Sequence, residues 1–190
     1  MERNNSFNVI ETERLILRNW KESDAEAYFA INQDPKVFEF LPGPLSMDGV
    51  KQFIVDKNQC FVDHQYTLWA VEEKTTGAIM GYIGFSSPSW KAHFTPCIEI
   101  GWRLGSQYWG KGYATEGAKA ALEYGFKQFG WDEIVSFTVP DNSRSIRVME
   151  KIGMKRDVNG DFAHPALSLD HRLSEHVSYR VNRYSCSIFA

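Results

Sequence analysis

Apolar and polar positions along this chain alternate in two registers. From Cys97 to Leu104 the side chains of Ile98, Ile100, Trp102 and Leu104 are apolar, and Cys97, Glu99, Gly101 and Arg103 stand between them. That period of two predicts a strand with one buried face. Gly105, Gly110 and Gly112 break the pattern, and Ala114, Ala118, Ala121, Leu122, Gly125, Phe126 and Phe129 then recur at helical spacing. An apolar stripe of that period predicts a long amphipathic helix. The stretch reads as strand, glycine-rich turn, helix.

The rest of the chain is organised around it. Arg14–Arg18 predicts a short strand after a ragged residues 1–10. Ser23 and Glu26, at capping-box spacing, predict the start of a helix carrying Ala27, Phe29, Ala30 and Ile31. Pro35 ends it, because the residue before a proline is pushed out of the helical region. Residues 38–44 read as a loop rich in large apolar groups, and Ser46 as the cap of a second helix reaching about Val62. Tyr66–Glu72 and Ala78–Phe85 predict two strands around the turn at Lys74–Gly77, and residues 86–94 a loop. After the long helix come a strand at Glu133–Val139, a short helix striped by Ile146, Met149 and Ile152, and a strand at Met154–Val158. Residues 159–175 form a polar, histidine-bearing connection to a last strand at His176–Tyr184. This order predicts one α/β (α+β) domain with a mixed sheet, and 190 residues suit a single well-packed unit.

Charge and composition remove several function classes. A net charge of −3 offers no basic face for nucleic acid. No apolar run is long enough to span a membrane, and the opening residues lack the apolar core of a secretory signal. Cys60, Cys97 and Cys186 are odd in number and far apart, which argues against a disulfide framework and fits a reducing cytoplasm. Cys97 reads as a buried structural thiol rather than a nucleophile. The aromatic content is compatible with a homodimer.

The glycine-rich turn is the candidate for chemistry. Glycines at a helix entrance let main-chain N–H groups point outward, and the first helical turn leaves such donors unpaired in a positive potential. Phosphate is the usual guest of such a site. The dinucleotide fingerprint fails, since its third glycine position is Thr115. A nucleotide P-loop has the right spacing from Gly105 through Gly110 and Lys111, but Gly112 stands where the magnesium-binding hydroxyl should be. The pattern Q-x-x-G-x-G is met by Gln107, Gly110 and Gly112.

That last pattern resembles the acyl-CoA pyrophosphate loop of the GNAT acetyltransferase superfamily, and G-W-R-L-G-S-Q-Y-W-G-K-G-Y-A-T-E-G is similar to its RimJ/RimL-type branch. E-T-E-R-L-I-L-R near the start, N-x-x-S-I-R-V-M-E-K-I-G-M and the ending H-x-x-S-Y-R-V extend the resemblance over about residues 11–184. It implies a mostly antiparallel central sheet flanked by helices. It also implies acetyl-CoA as co-substrate, no metal, and direct transfer of acetyl to an amine acceptor such as a peptide N-terminus or a small molecule. By the same resemblance, the main chain of Trp102, Arg103 and Leu104 bonds the pantetheine arm. Gln107, Trp109, Gly110, Lys111, Gly112, Tyr113 and Ala114 form the pyrophosphate loop, with Lys111 adding charge. Asn142 bonds a pantetheine amide, and Ser145 lies near the sulfur as a proton donor. A non-catalytic acyl-CoA-binding regulator is the alternative.

Glu99 is the candidate base, because burial among apolar neighbours would raise its pKa toward neutrality. The competing reading is a solvent-facing or salt-bridged strand glutamate. Asn142 or Ser143 could equally serve as a helix cap. His164, His171 and His176 lack the spacing and companions of a zinc site and read as supports of the acceptor side. Phe40, Tyr66, Trp69 and Trp90 are candidates for an apolar acceptor pocket, or for the core.

Overall fold

A computed structural model describes residues 8–184. Its centre is an eight-stranded sheet in the order β1-β2-β3-β4-β5-β6-β8-β7. The strands are β1 (Asn8–Glu11), β2 (Leu15–Arg18), β3 (Leu68–Glu73), β4 (Ile79–Ser86), β5 (Glu99–Leu104), β6 (Glu133–Thr138), β7 (Lys155–Ala163) and β8 (Glu175–Asn182). Neighbours run antiparallel throughout, except β5 and β6, which are parallel. Five helices cover it: α1 (Ala25–Asn32), α2 (Pro35–Phe38), α3 (Met47–His64), α4 (Tyr113–Phe129) and α5 (Ser143–Lys151).

The alternation read from the sequence decides which layer each strand residue enters. On β3, Trp69 and Val71 point toward α4, where they join Ile83, Ile100, Leu122 and Phe126 in the larger core. Ala70 points the other way, to the smaller core of Trp20, Tyr28, Val50 and Ile54 beneath α1 and α3. Tyr66 and Trp69, entertained above as acceptor-pocket residues, are used in packing. Trp69 is fully buried, and Tyr66 meets Phe129 and Trp131 edge-on at 5.7 and 5.2 Å.

Four details differ from the sequence reading. Residues 8–10 are not ragged but pair, with Glu11, as β1 along β2; residues 1–7, like Cys186, lie outside the described chain. Ser23 does not cap α1. Instead the Asp24 carboxylate accepts the Lys21 N–H at 2.7 Å and ends a short 3-10 turn that runs into the helix. Pro35 terminates α1 as expected and also begins α2, where it occupies a position that needs no N–H donor and Asp34 caps the Lys36 amide at 2.9 Å. Strand β7 continues to Ala163 rather than stopping near Val158, and the connection shrinks accordingly.

Candidate active site

Strands β5 and β6 share a single register pair, Glu99 with Val135, supported by the Val135 N–H donating to Ile98 O at 2.9 Å. Beyond that point they part. The facing main-chain edges of residues 101–104 and 136–139 border a cavity of about 560 Å³. Unpaired strand edges present N–H and C=O groups ready for an extended ligand. Val37, Phe40 and Leu41 line this cleft together with residues of α5, and Arg144 of α5 lies 5.7 Å from the Phe40 ring centre.

The turn between β5 and α4 is built as an anion cradle. Trp109 anchors it by donating its indole N–H to Leu104 O at 2.8 Å. Gly110 and Gly112 take φ of +75° and +84°, a left-handed conformation that costs a side-chain-bearing residue about 1 kcal/mol or more. These two reversals aim the first amides of α4 toward the cavity, where unpaired donors and the helix dipole favour an anion. Trp109, Gly110, Gly112, Tyr113 and Ala114 all line the cavity. Gln107 and Lys111 do not. Gln107 borders a separate hollow with Asp34 and Ile79, and Lys111 accepts an Arg14 N–H on its carbonyl at 3.0 Å. Tyr113 donates its hydroxyl to Glu73 at 2.6 Å, and the Arg14 guanidinium lies 4.3 Å from its ring centre. Arg14 also binds Glu116 in the first turn of α4 at 2.6 Å, which pins the cradle to β2.

Where the strands divide, β5 presents Glu99, Gly101 and Arg103 on one face. Glu99 accepts the Ser86 hydroxyl at 3.1 Å, and burial pushes its carboxyl up to about 7 against that hydrogen bond. Glu99 lines the cavity. Among the described residues no cation pairs with it, against the salt-bridged alternative. Cys97, two residues earlier, has its thiol pushed up to about 11 by burial and by Glu99, so it stays protonated at neutral pH. Trp102 and Leu104 line the cavity as well.

On the β6 side, Asn142 caps α5. Its Oδ1 accepts the Ser145 N–H at 3.2 Å, while its amide group donates to Thr138 Oγ1 at 3.0 Å and Ser145 Oγ at 3.2 Å. Both side chains line the cavity, so capping and facing the cleft coexist. Because Ser145 Oγ accepts from Asn142, its own hydrogen is free to be donated elsewhere.

His164 and His176 line the cavity with ring centres 5.3 Å apart, while His171 belongs to the loop beyond. Burial lowers the pKa of both cavity histidines. Trp90 stacks on Phe162 at 5.2 Å behind them. Among the described residues no group of three or more metal-ligating side chains converges.

Sequence reasoning missed the basic face of α5. Arg144, Arg147 and Lys151 all line the cavity, and their spacing of three and four puts them on one side of the helix. That spacing was the available signal.

The profile described as an acetyltransferase (GNAT) domain matches residues 14–155. The chain is 34% identical over 149 residues to the uncharacterized N-acetyltransferase YnaD of Bacillus subtilis, covering 78% of this chain and 83% of that one. A GNAT-family acetyltransferase structure from Bacillus anthracis superposes with a TM-score of 0.75 at 29% identity, covering 91% of this chain and 97% of the other. Mycobacterium smegmatis RimJ in complex with CoA-disulfide shares the fold, with a TM-score of 0.72 at 17% identity over 90% of this chain and 82% of that one.

Proposed function

The chain belongs to the GNAT acetyltransferase family and is an acetyl-CoA-dependent acetyltransferase, and from that footing we infer that it acetylates a primary amine in the cleft between β5 and β6. The observation that carries this reading is the parting of the two strands after Glu99 and Val135. It leaves room for an extended pantetheine arm between the main-chain edges of residues 102–104 and 136–138. The pyrophosphate then meets the amides of Gly110–Ala114, with Arg147 and Lys151 supplying positive charge on the facing helix. Gln107 and Lys111 belong to the turn's framework in this reading, and Asn142 offers its remaining Oδ1 lone pair to a pantetheine amide. The wording of the loop supports, within this reading, a kinship with RimJ/RimL-type members.

Transfer needs a neutral amine. Deprotonation at pH 7 costs roughly 4–5 kcal/mol for a lysine-like amine near ~10.4 and about 1 kcal/mol for an α-amine near ~8. Glu99, poised near neutrality, takes that proton directly or through one water. The nitrogen attacks the thioester carbon, a C–N bond forms and the C–S bond breaks. Ser145 gives its hydroxyl proton to the departing sulfur and regains one from solvent. The products are the N-acetylated amine and CoA with a free thiol.

The test is CoA thiol release by the purified protein with acetyl-CoA and a panel of primary amines. Release that requires an amine is expected. Tight CoA binding with no release for any amine would instead identify an acyl-CoA-binding regulator.

A further inference from the structure

Arg18 is buried and Arg103 half-buried, and the two are treated differently. Arg18 is 3% exposed and doubly paired: it grips both oxygens of Asp24 at 2.7 and 2.9 Å and reaches Glu72 at 2.7 Å. A buried cation needs such partners, because an uncompensated charge in a low-dielectric setting is costly. Arg103, on β5, has no carboxylate partner among the described residues. Its Nη1 donates to the neutral Asn32 Oδ1 at 2.7 Å, its guanidinium carbon lies 5.5 Å from the Tyr82 ring centre, and the Tyr28 and Tyr82 hydroxyls are close by, that of Tyr28 buried and short of a well-formed hydrogen bond. Unlike Arg18, Arg103 borders the cavity.

The space beside it is shaped for an occupant. Glu99 and Arg103 lie on the same face of β5, and Gly101 between them leaves that face bare: a Cβ there would meet nothing nearer than Glu99 Oε1 at 4.0 Å. Four residues of strand put the two Cα atoms about 13 Å apart. The segment holding Phe40 and Leu41 lines the same cavity and is tied to two other parts of the chain. The Glu39 carboxylate pairs with Arg144 at 2.5 Å, and the Glu39 carbonyl accepts an Arg172 N–H at 2.8 Å.

We propose that the acceptor is a small aliphatic amino acid whose carboxylate is anchored by Arg103 while its amine, carried on a flexible chain, sits at Glu99. The missing counter-ion of Arg103 is then supplied by the substrate, and the bare face of Gly101 holds the intervening methylenes. The span favours an ω-amino acid over an α-amino acid, whose two groups share one carbon. This rests on the acetyl-transfer reading only for the position of the amine; the anion site stands on Arg103 itself.

Calorimetry separates the two. With CoA present, 5-aminopentanoate should bind the protein at least about tenfold more tightly than 5-aminopentanamide, which has the same chain without the charge, and more tightly than glycine. Arg103→Gln should bring acid and amide within a factor of about three, and Arg103→Lys should keep part of the preference. Equal affinity of acid and amide for the unaltered protein overturns the proposal without recourse to any variant. So does a preference that survives in Arg103→Gln, or tighter binding of a short uncharged peptide. If the acid is preferred but no amine releases CoA thiol from acetyl-CoA, the anion site stands and the transfer reading falls.

Discussion

At the scale of single residues, Glu99 is a carboxyl whose surroundings oppose its charge. Desolvation pushes its carboxyl up to about 7, so the base form accumulates as pH rises through neutrality. The rate with an ω-amine should therefore climb through a limb centred near pH 7, and Glu99→Gln should erase that limb, with a fall in kcat/KM on the order of 10²-fold or more. A variant profile parallel to the parent's would take Glu99 out of the reaction. The same shift has a sign for stability. A carboxyl whose folded pKa is raised favours folding below its unfolded pKa, and that benefit is lost as pH rises from about 4.3 through about 7. Glu99→Gln should thus gain stability relative to the parent at pH 8 compared with pH 4, by roughly 1–3 kcal/mol in denaturant titrations. Ser145 carries a narrower expectation. Ser145→Ala should lower kcat about 10–100-fold while leaving the affinity for CoA nearly unchanged, and full retention of kcat would confine Ser145 to the α5 cap.

At the scale of elements, the strand–turn–helix from Glu99 to Phe129 was legible in the sequence because burial acts on it strongly. Its strand alternates and its helix carries an unbroken apolar stripe. The edge strands were legible only in part, and the reason is visible in β7. Lys155, Arg156, Asp157, Asn159 and Asp161 are polar on both faces, since an edge strand facing solvent is under no pressure to alternate. Its register is held instead by Arg180, which pairs with Asp157 and Glu133. The site was readable in part for a similar reason. Glycines at a helix entrance announce an anion cradle, whereas the meaning of Arg103 depends on what fails to come near it, which no linear pattern records. Element packing also gives a sharp prediction at Gly81 on β4, which has φ of +131° and whose Cβ would stand 2.0 Å from the Arg103 carbonyl oxygen. Backbone cannot yield as a side-chain tip can. Gly81→Ala should cost at least about 2 kcal/mol in chemical denaturation and disturb the cleft edge of β5.

At the scale of the whole molecule, the fold is joined by a few polar ties set among its two cores. Arg18, Asp24 and Glu72 fix the first turn of α1 to β2 and β3. Asp24→Ala removes the partner of a guanidinium that is 3% exposed, and it should cost about 3–5 kcal/mol, seen as a lowered melting temperature. A loss below about 1 kcal/mol would mean that water reaches Arg18 on truncation. The variant's acceptor preference should stay that of the parent, since Arg18 lies outside the cavity lining.

The solitary register pair between β5 and β6 makes the cleft a seam. Hydrogen bonding between these two strands hangs on Glu99 and Val135, where the β4–β5 and β6–β8 ladders each run for six register pairs. A pantetheine arm lying along both edges would serve as a ninth, borrowed strand, mending the ladder for as long as it stays. The enzyme would then be mechanically whole only when loaded, and each turnover would begin by stitching its two halves together and end by unpicking them.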